Sequence, residues 1–172
     1  MAKDEQLTGP SADCVQRAYL YLHRDVPGGP PYSIDEQNLM AFDPDHVTRL
    51  MGLPPTETWR RGDLHPHAPA GRRRSSSWKY EVARIHTYLT EEVVIQLLDA
   101  IEPHATGIAE ARAALGLRAG INVVIEMSGE RDTEDGGIHV STAAITYTAD
   151  TLKRLARLDI MIDHDQYVYL PD

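Results

Sequence analysis

The sequence has one cysteine, no long apolar run and none of the short motifs that mark common active sites. With Cys14 as its only thiol the chain cannot form an internal disulfide, and a cysteine in a predicted strand is by default a buried, unreactive group. No stretch approaches the ~18 apolar residues of a membrane-spanning helix. Residues 1–11 are polar rather than signal-like. We therefore expect a protein of a reducing cytoplasm, with no membrane partner.

Signals for catalysis and for metal binding are also lacking. There is no Gly-x-Ser-x-Gly segment for a nucleophilic serine and no Gly-rich phosphate loop. The densest group of metal-capable side chains lies near the C-terminus, where Asp159, Asp163 and Asp165 would share one strand face and His164 would lie on the other. Such carboxylates either bind a hard cation or form the solvated side of the strand, and we favour the second alternative. The sequence predicts no metal, no cofactor and no catalytic residue. It leaves open whether the protein is an enzyme, and we favour a protein without catalytic activity.

Charge is distributed unevenly along the chain, whose formal net charge is -9. Residues 1–87 contain 11 basic and 11 acidic residues, whereas residues 88–172 contain 6 basic and 15 acidic ones. An acidic half of this kind makes nucleic acid an unlikely partner, because proteins bind phosphates mainly through Lys and Arg. It favours either a basic protein partner or simply a soluble surface.

The pattern of apolar residues predicts a single α+β domain over residues 14–172, long enough to bury one core. Segments with alternating apolar residues are interspersed with segments of helical periodicity. The predicted order is β-α-β-α-β-β-α-β, with an antiparallel-rich sheet packed by helices, as in a ferredoxin-like variant. The predicted strands are 14–23, 78–88, 121–128, 138–146 and 158–169, and the predicted helices are 44–51, 90 to about 103, 106–115 and 148–158.

Three segments are predicted to lie outside this packed structure. Residues 1–13 form a flexible N-terminal tail, and residues 26–38 form a loop rich in Pro and Gly. Residues 64–77 are an insert of turn-forming residues, arginines and serines without an apolar anchor beyond its first residue. We expect this insert to be exposed and mobile.

Residues 42–63, FDPDHVTRLMGLPPTETWRRGD, carry the most sharply defined local signals. Asp43 is suited to cap a helix that starts at Pro44, and Gly52 is suited to end it in the left-handed conformation. Pro54 and Pro55 then impose extended backbone on the approach to residues 56–63. The segment therefore predicts one helix with two defined ends, followed by a loop that is stiff at its start.

The side chains of this loop allow two interpretations. Trp59 either caps the core or stacks on a planar ligand or a cation. Arg60 and Arg61 either pair with carboxylates of the loop, such as Asp63, or bind an anion in bidentate fashion. We favour the structural alternative in each case.

Four short motifs are spread along the chain: Asp43-Pro44, PTETWRRGD at 55–63, Trp78-Lys79-Tyr80 and Gly137-Ile138-His139. Together they resemble a bacterial family catalogued as domain of unknown function 4279, in which a helix beginning at Asp-Pro leads into a Pro-Thr-x-x-Trp-x-x-Gly-Asp loop and a Trp-x-Tyr strand. The resemblance covers most of residues 14–169. It departs from the family at the insert of residues 64–77 and between Val140 and the last helix. It implies the α+β fold and no established activity.

Two functional hypotheses follow. The first is a protein-interaction module that neutralises a basic partner, such as a toxin nuclease, through the acidic second half. The second is a small-molecule-binding protein or an enzyme that uses the stiff loop. A deep pocket beside Trp59 would favour the second hypothesis, and a flat acidic face would favour the first. Neither hypothesis predicts the oligomeric state. The ligand-binding set of the second hypothesis is Trp59, Arg60, Arg61, Asp63, Trp78 and Tyr80.

Overall fold

The structure, a computed structural model, describes residues 14–66, 68–132, 134 and 136–171. Its helices are α1 Ile34–Leu39, α2 Pro44–Met51, α3 Thr90–Ile101, α4 Ala105–Leu115 and α5 Ala149–Leu158, and a 3-10 turn, Glu102–His104, joins α3 to α4. Its strands are β1 Cys14–His23, β2 Glu57–Trp59, β3 Leu64–His65, β4 Ala68–Arg72, β5 Ser77–Glu81, β6 Ile85–His86, β7 Arg118–Arg131, β8 Ile138–Val140 and β9 Met161–Tyr169.

Seven of the strands form one mostly antiparallel sheet in the order β2-β5-β1-β7-β8. The short strand β6 also pairs with β1, and β9 pairs with β7 in parallel. Strand β8 pairs with residues 129–131 of β7, and β9 pairs with residues 120–128. The predicted α+β class with an antiparallel-rich sheet is confirmed, whereas a ferredoxin-like strand order is not confirmed by this arrangement.

The core lies between one face of this sheet and the helices. Along β1 every second side chain, from Cys14 to Leu22, is buried, and the residues between them are half-exposed on the opposite face. The helices contribute apolar side chains to the same core, notably Leu97 and Leu98 of α3. The other face of the sheet, called the open face below, carries the intervening side chains of β1 and their cross-strand neighbours.

The ends of the helices follow the local sequence signals. The Asp43 side chain accepts a hydrogen bond from the Asp45 N–H at 3.1 Å, and Gly52 ends α2 with φ 63°. Thr148 caps α5 by accepting from the Thr151 N–H. These caps confirm the predicted boundaries of α2 and α5. Helix α3 begins at Thr90 as predicted, but its N-cap is Leu89, without a side-chain cap, whereas Thr90, which the sequence suggested as the cap, is buried.

Helices α2 and α4 pack closely at Gly107. A Cβ atom at this position would lie 2.6 Å from the Leu50 carbonyl oxygen and 2.6 Å from the Met51 Cα. Since both of those atoms belong to the backbone of α2, only a residue without a side chain allows this approach.

Several sequence predictions need correction. Helix α1 lies in the segment predicted as a loop, and its capping box joins Ser33 to Glu36. The fourth predicted strand ends early, since β8 covers only Ile138–Val140. The insert of residues 64–77 contains β3 and β4, and its exposure prediction is wrong at its end, because Ser76 is only 2% exposed. Its mobility stays a prediction, and the predicted tail of residues 1–13 lies outside the described residues.

No helix in the described part of the chain is both long enough and apolar enough to cross a membrane.

Candidate functional site

The loop that follows Trp59 is closed by hydrogen bonds within the protein. The Asp63 carboxylate accepts from the Arg60 N–H at 2.7 Å, and the Asp63 N–H donates to the Arg60 carbonyl at 3.1 Å. The Arg73 N–H donates to the Asp63 carbonyl, and the Arg73 carbonyl accepts from the Gly62 N–H, each at 2.8 Å. Asp63 is therefore engaged in holding the turn against the end of the insert.

The Arg60 guanidinium is also occupied. Its Nη2 lies 2.8 Å from Asp43 Oδ1 and 2.7 Å from Asp45 Oδ2, both at the start of α2. Hydrogen bonding to Arg60 lowers the pKa of Asp43 below its usual value. Arg60 thus ties the loop to the helix with carboxylates other than those considered from sequence. The neighbouring Arg61 N–H donates to the buried Ser76 hydroxyl.

Trp59 lies on the open face of the sheet and not over the core. It pairs with Ser77 of β5, two residues before Lys79, whose own partner on β1 is Tyr21 on the open face. The Arg73 guanidinium stands 4.0 Å from the centroid of the Trp59 ring, and Lys79 Nζ stands 5.1 Å from it. The core-capping interpretation is wrong. Trp59 does stack on cations, as its alternative predicted, but these cations belong to the protein itself.

The other two residues of the predicted ligand-binding set point toward the helices. Trp78 is 0% exposed, and its indole N–H donates to the Thr48 hydroxyl of α2 at 3.0 Å. Tyr80 is partly buried against the same core. Trp78 therefore has no surface to offer a ligand, which corrects its inclusion in the set. The six predicted residues are divided between the two faces of the sheet and do not converge on one site.

A different group of side chains comes together on the open face. Lys79 Nζ lies 4.6 Å from the Tyr19 ring centroid, and the Tyr19 hydroxyl accepts from Asn122 Nδ2 at 2.9 Å. The same amide nitrogen donates to Asp165 Oδ2 at 2.8 Å. This chain of contacts crosses β5, β1, β7 and β9 in order, so it fixes a row of polar and aromatic groups across the sheet.

A second row runs beside it. The Tyr21 hydroxyl donates to Asp163 Oδ2 at 3.0 Å, passing over Gly120 of the intervening strand β7. A Cβ at Gly120 would lie 2.5 Å from the Tyr21 hydroxyl oxygen, so the glycine makes room for this crossing. Burial, followed by the hydrogen bond to Asp163, raises the pKa of Tyr21 well above its usual value. Tyr21 therefore stays a neutral donor to the carboxylate.

Charge on the open face is balanced on one side and unbalanced on the other. Cations near β1 and β5 have carboxylate partners, such as Arg17 with Glu81 at 2.7 Å. Asp163 and Asp165 are exposed, and no cation of the described residues lies within 4.0 Å of either. Their hydrogen-bond donors, a phenol and an amide, are neutral. The β9 side of the open face thus carries two uncompensated carboxylates.

The three aspartates considered from sequence as one strand face are separated. Asp159 is the left-handed C-cap of α5, with φ 49°, and pairs with Arg112 at 2.9 Å. It precedes β9 and does not share a face with Asp163 and Asp165. Within the described ranges no three His, Cys, Asp or Glu side chains are grouped so that they could hold a metal ion.

On the helix side of β9, His164 contacts Tyr147. The Tyr147 hydroxyl and His164 Nε2 form a short hydrogen bond. Burial lowers the pKa of His164 below its usual value against an opposing effect of Asp163, and burial raises the pKa of Tyr147 to about 12. The lowered pKa favours a neutral imidazole, and the raised pKa keeps the phenol protonated.

One concavity of the described structure lies away from Trp59. A half-open groove of about 540 Å³ lies beyond the end of β1, between residues 23–32, Met40 and the Arg74–Ser75 backbone segment. Arg24, which lines this groove, donates to the backbone carbonyls of Leu39, Ala41 and Leu115. Its guanidinium therefore holds these three segments together.

Sequence reasoning singled out Asp163 and Asp165 but missed Tyr19, Tyr21 and Asn122, the residues that hydrogen bonds link to them on the open face. Tyr19, Tyr21, Asn122, Asp163 and Asp165 come from three strands, and none belongs to a recognisable motif. A signal was present in YLYLH, where alternating aromatics predict one polar-aromatic strand face. The pairing of that face with β9 could not be predicted, because it depends on a parallel strand that is far away in sequence.

The described residues form a two-layer α+β sandwich, in which helices cover one face of the sheet and polar and aromatic side chains lie on the other. Residues 36–169 match the family model described as domain of unknown function (DUF4279). The match covers more than half of the chain, so the chain belongs to this family, which confirms the resemblance found in the sequence. No curated protein and no solved structure matches the chain.

Proposed function

We propose that the protein is an interaction module that binds a basic protein partner on the β9 side of its open face. The observation that supports this proposal is the pair of exposed carboxylates, Asp163 and Asp165, which neutral donors hold and which have no cation of the described residues within 4.0 Å. An unpaired carboxylate on a pre-organised surface gains most from an incoming Lys or Arg, because no internal ion pair has to be broken first.

The side chains that continue this row suit the same partner. Tyr167 and Tyr169 follow on the same face of β9 and are 48% and 55% exposed. Exposed tyrosines beside carboxylates offer ring faces to the same cations that the carboxylates attract. Tyrosine is also enriched at protein interfaces, since it provides a large contact area at a small cost in conformational entropy.

The alternative, a small-molecule site at the Trp59 loop, has weaker support. The groups that would bind an anion or a planar ligand are engaged with the protein: Arg60 with two aspartates, Asp63 with the turn, and the Trp59 ring with Arg73. The half-open groove near Arg74 is a separate place, so the predicted residues do not line it. We assign the protein to the cytoplasm as part of the same proposal, and neutralisation of a toxic basic protein is one role such a module could serve.

The experiment is a pull-down from the native cell extract, read by mass spectrometry and followed by binding measurements with the recovered partner. The variant Asp163→Asn/Asp165→Asn keeps the side-chain shape and removes two charges. Asp35→Asn/Glu110→Gln is a matched control, because it removes the same charge from exposed positions on α1 and α4. We expect the first variant to slow association and to weaken the salt dependence, whereas the control should resemble the wild type.

Two results would contradict the proposal. One is a partner whose affinity is the same for both variants and the wild type. The other is a partner lost on Arg60→Ala but retained by the β9 variant, which would place the function at the Trp59 loop.

The acidic turn around Glu130 is a separate surface from the one proposed. Asp163 lies beside Asn122, whereas Glu130 is eight residues further along β7, or roughly 26 Å at the rise of an extended strand. Charge reversal at Glu130, Asp132 and Glu134 therefore tests a second surface, and we expect a smaller effect there than at β9. Asp135, which belongs to the same acidic segment of the sequence, lies outside the described residues.

A further inference from the structure

Strand β9 is an edge of the main sheet along its whole length. It pairs with β7 over nine residues, from Gly120 opposite Met161 to Ser128 opposite Tyr169. On its other side, no strand in the described part of the chain pairs with it. Half of its backbone N–H and C=O groups therefore point away from β7, at an edge whose side chains are largely exposed.

Of the devices that usually keep strand edges from pairing, this edge has only charged side chains. Residues 161–169, MIDHDQYVY, contain no proline, lysine or glycine, and the register with β7 runs without a bulge. The opposite edge of the sheet differs. There β2 is three residues long, and Pro54 and Pro55 stand just before it. One edge of the sheet is thus closed to addition and the other is open.

The side chains of β9 restrict which strand could be added. Asp163, Asp165, Tyr167 and Tyr169 alternate on the open face. On the helix side, Val168 is 49% exposed, and Leu170, just after the strand, is 61% exposed. A neighbouring strand places its own alternate side chains beside these two rows. The complementary sequence has Lys or Arg at every second position and apolar residues between them.

A second copy of this chain is a poor match for the same edge. Its β9 would bring two more aspartates and no Lys or Arg beside the first two, and each copy carries a formal net charge of -9. Like charges directly opposite each other on paired strands are destabilising, and two copies with the same net charge also repel each other. The carboxylates therefore select against self-pairing and in favour of a basic strand.

We infer that β9 accepts an added strand from the basic partner, with alternate Lys or Arg residues beside Asp163 and Asp165 and apolar residues beside Val168. This inference rests on the proposed function and adds the mode of binding to it. Main-chain hydrogen bonds along the edge supply affinity, and the two aspartates select the partner.

The test uses the full-length protein and a nine-residue synthetic peptide that alternates lysine and valine. Two further versions carry N-methyl groups, one on the lysines and the other on the valines, so that each blocks one edge of the peptide backbone without changing its charge. A fourth peptide has the same composition with its lysines contiguous. Affinities are measured by calorimetry at low and moderate salt, and amide hydrogen exchange is followed across residues 161–169.

We expect saturable binding of the parent peptide, with slowed exchange of β9 amides. At least one N-methylated version should bind about 10-fold more weakly, because it loses main-chain hydrogen bonds. The peptide with contiguous lysines should bind more weakly by a similar factor. Asp163→Asn/Asp165→Asn should weaken the parent peptide, and Asp35→Asn/Glu110→Gln should not.

Other outcomes overturn the inference in distinguishable ways. Equal binding of all four peptides, with a salt dependence and a loss in the β9 variant, would leave charge recognition intact and exclude strand addition. Absence of parent-peptide binding would also overturn the inference, while the recovered natural partner tests the proposed function separately. A dimer of the protein alone that Val168→Lys disperses would show that a second copy occupies β9.

Discussion

The Tyr21 hydroxyl donates to Asp163 Oδ2 at 3.0 Å although a complete strand, β7, lies between the two residues. The tyrosine reaches across because its neighbour on β7 is Gly120. This contact joins the centre of the sheet to its edge strand and positions one of the two carboxylates on which the proposed function rests.

The two close-packed glycines should respond differently to alanine. Gly107→Ala should cost about 2–3 kcal/mol, because the new methyl group meets the rigid backbone of α2. Gly120→Ala should cost about 1 kcal/mol or less, because it meets the movable end of Tyr21. Urea unfolding of both variants measures the difference. A larger loss for Gly120→Ala would contradict the packing described here.

Substitution by alanine should destabilise the protein much more at Trp78 than at Trp59. Trp78→Ala should lower the free energy of unfolding by about 3–5 kcal/mol, as expected for a fully buried aromatic residue. Trp59→Ala should cost about 1 kcal/mol, since it removes mainly the contacts with Arg73 and Lys79. Equal losses would restore the core-capping interpretation of Trp59.

Ser76 should be more important for stability than its neighbour Ser75. The buried Ser76 hydroxyl accepts from the Phe42 N–H and the Arg61 N–H, each at 3.2 Å. Ser76→Ala leaves both donors without this acceptor and should cost about 1–3 kcal/mol. Ser75→Ala serves as the control and should change stability little. Thermal or chemical unfolding measures the stability of both variants. Equal stabilities would contradict this prediction.

His164 should make stability depend on pH. Burial lowers its folded-state pKa below 6.5, so the unfolded chain binds a proton at a higher pH than the folded one. Stability should therefore be unaffected above about pH 6.5, fall as the pH decreases toward the folded-state pKa, and level off below it. The difference between wild type and His164→Gln isolates this contribution from other histidines. A difference that grows above pH 7 instead would be inconsistent with a buried neutral imidazole.

The insert offers a proteolytic test of its mobility. Arg72 lies in β4 and the Arg73 N–H is bonded to Asp63, whereas Arg74 is exposed just beyond them. We expect limited trypsin digestion to cut first after Arg74. First cleavage after Arg112 of α4 would contradict this, because that side chain is bonded to the Leu158 carbonyl and to Asp159.

Local signals in the sequence predicted local structure well. Asp43, Gly52 and Thr148 mark helix ends because caps depend on a few neighbouring residues. Helix α1 could have been found from the Ser33–Glu36 capping box, but the surrounding Pro and Gly residues outweighed it.

The candidate site could not be predicted in the same way. Trp59 and Trp78 both looked available for a ligand, and only the pairing of β2 with β5 decides which of them enters the core. Asp163 and Asp165 looked like a solvated strand face. Their place beside Tyr21 and Asn122 depends on the parallel pairing of β9 with β7.

The unequal edges of the sheet limit the size of any assembly. Growth into a continuous fibre needs two compatible edges on every subunit, one to receive and one to donate. Among the described strands, β2 at the opposite edge is short and follows two prolines, so it offers a poor second edge to a copy of the protein bound at β9. Repeated addition of copies through β9 and β2 is therefore disfavoured, and we do not expect the protein to polymerise through this sheet as its concentration rises.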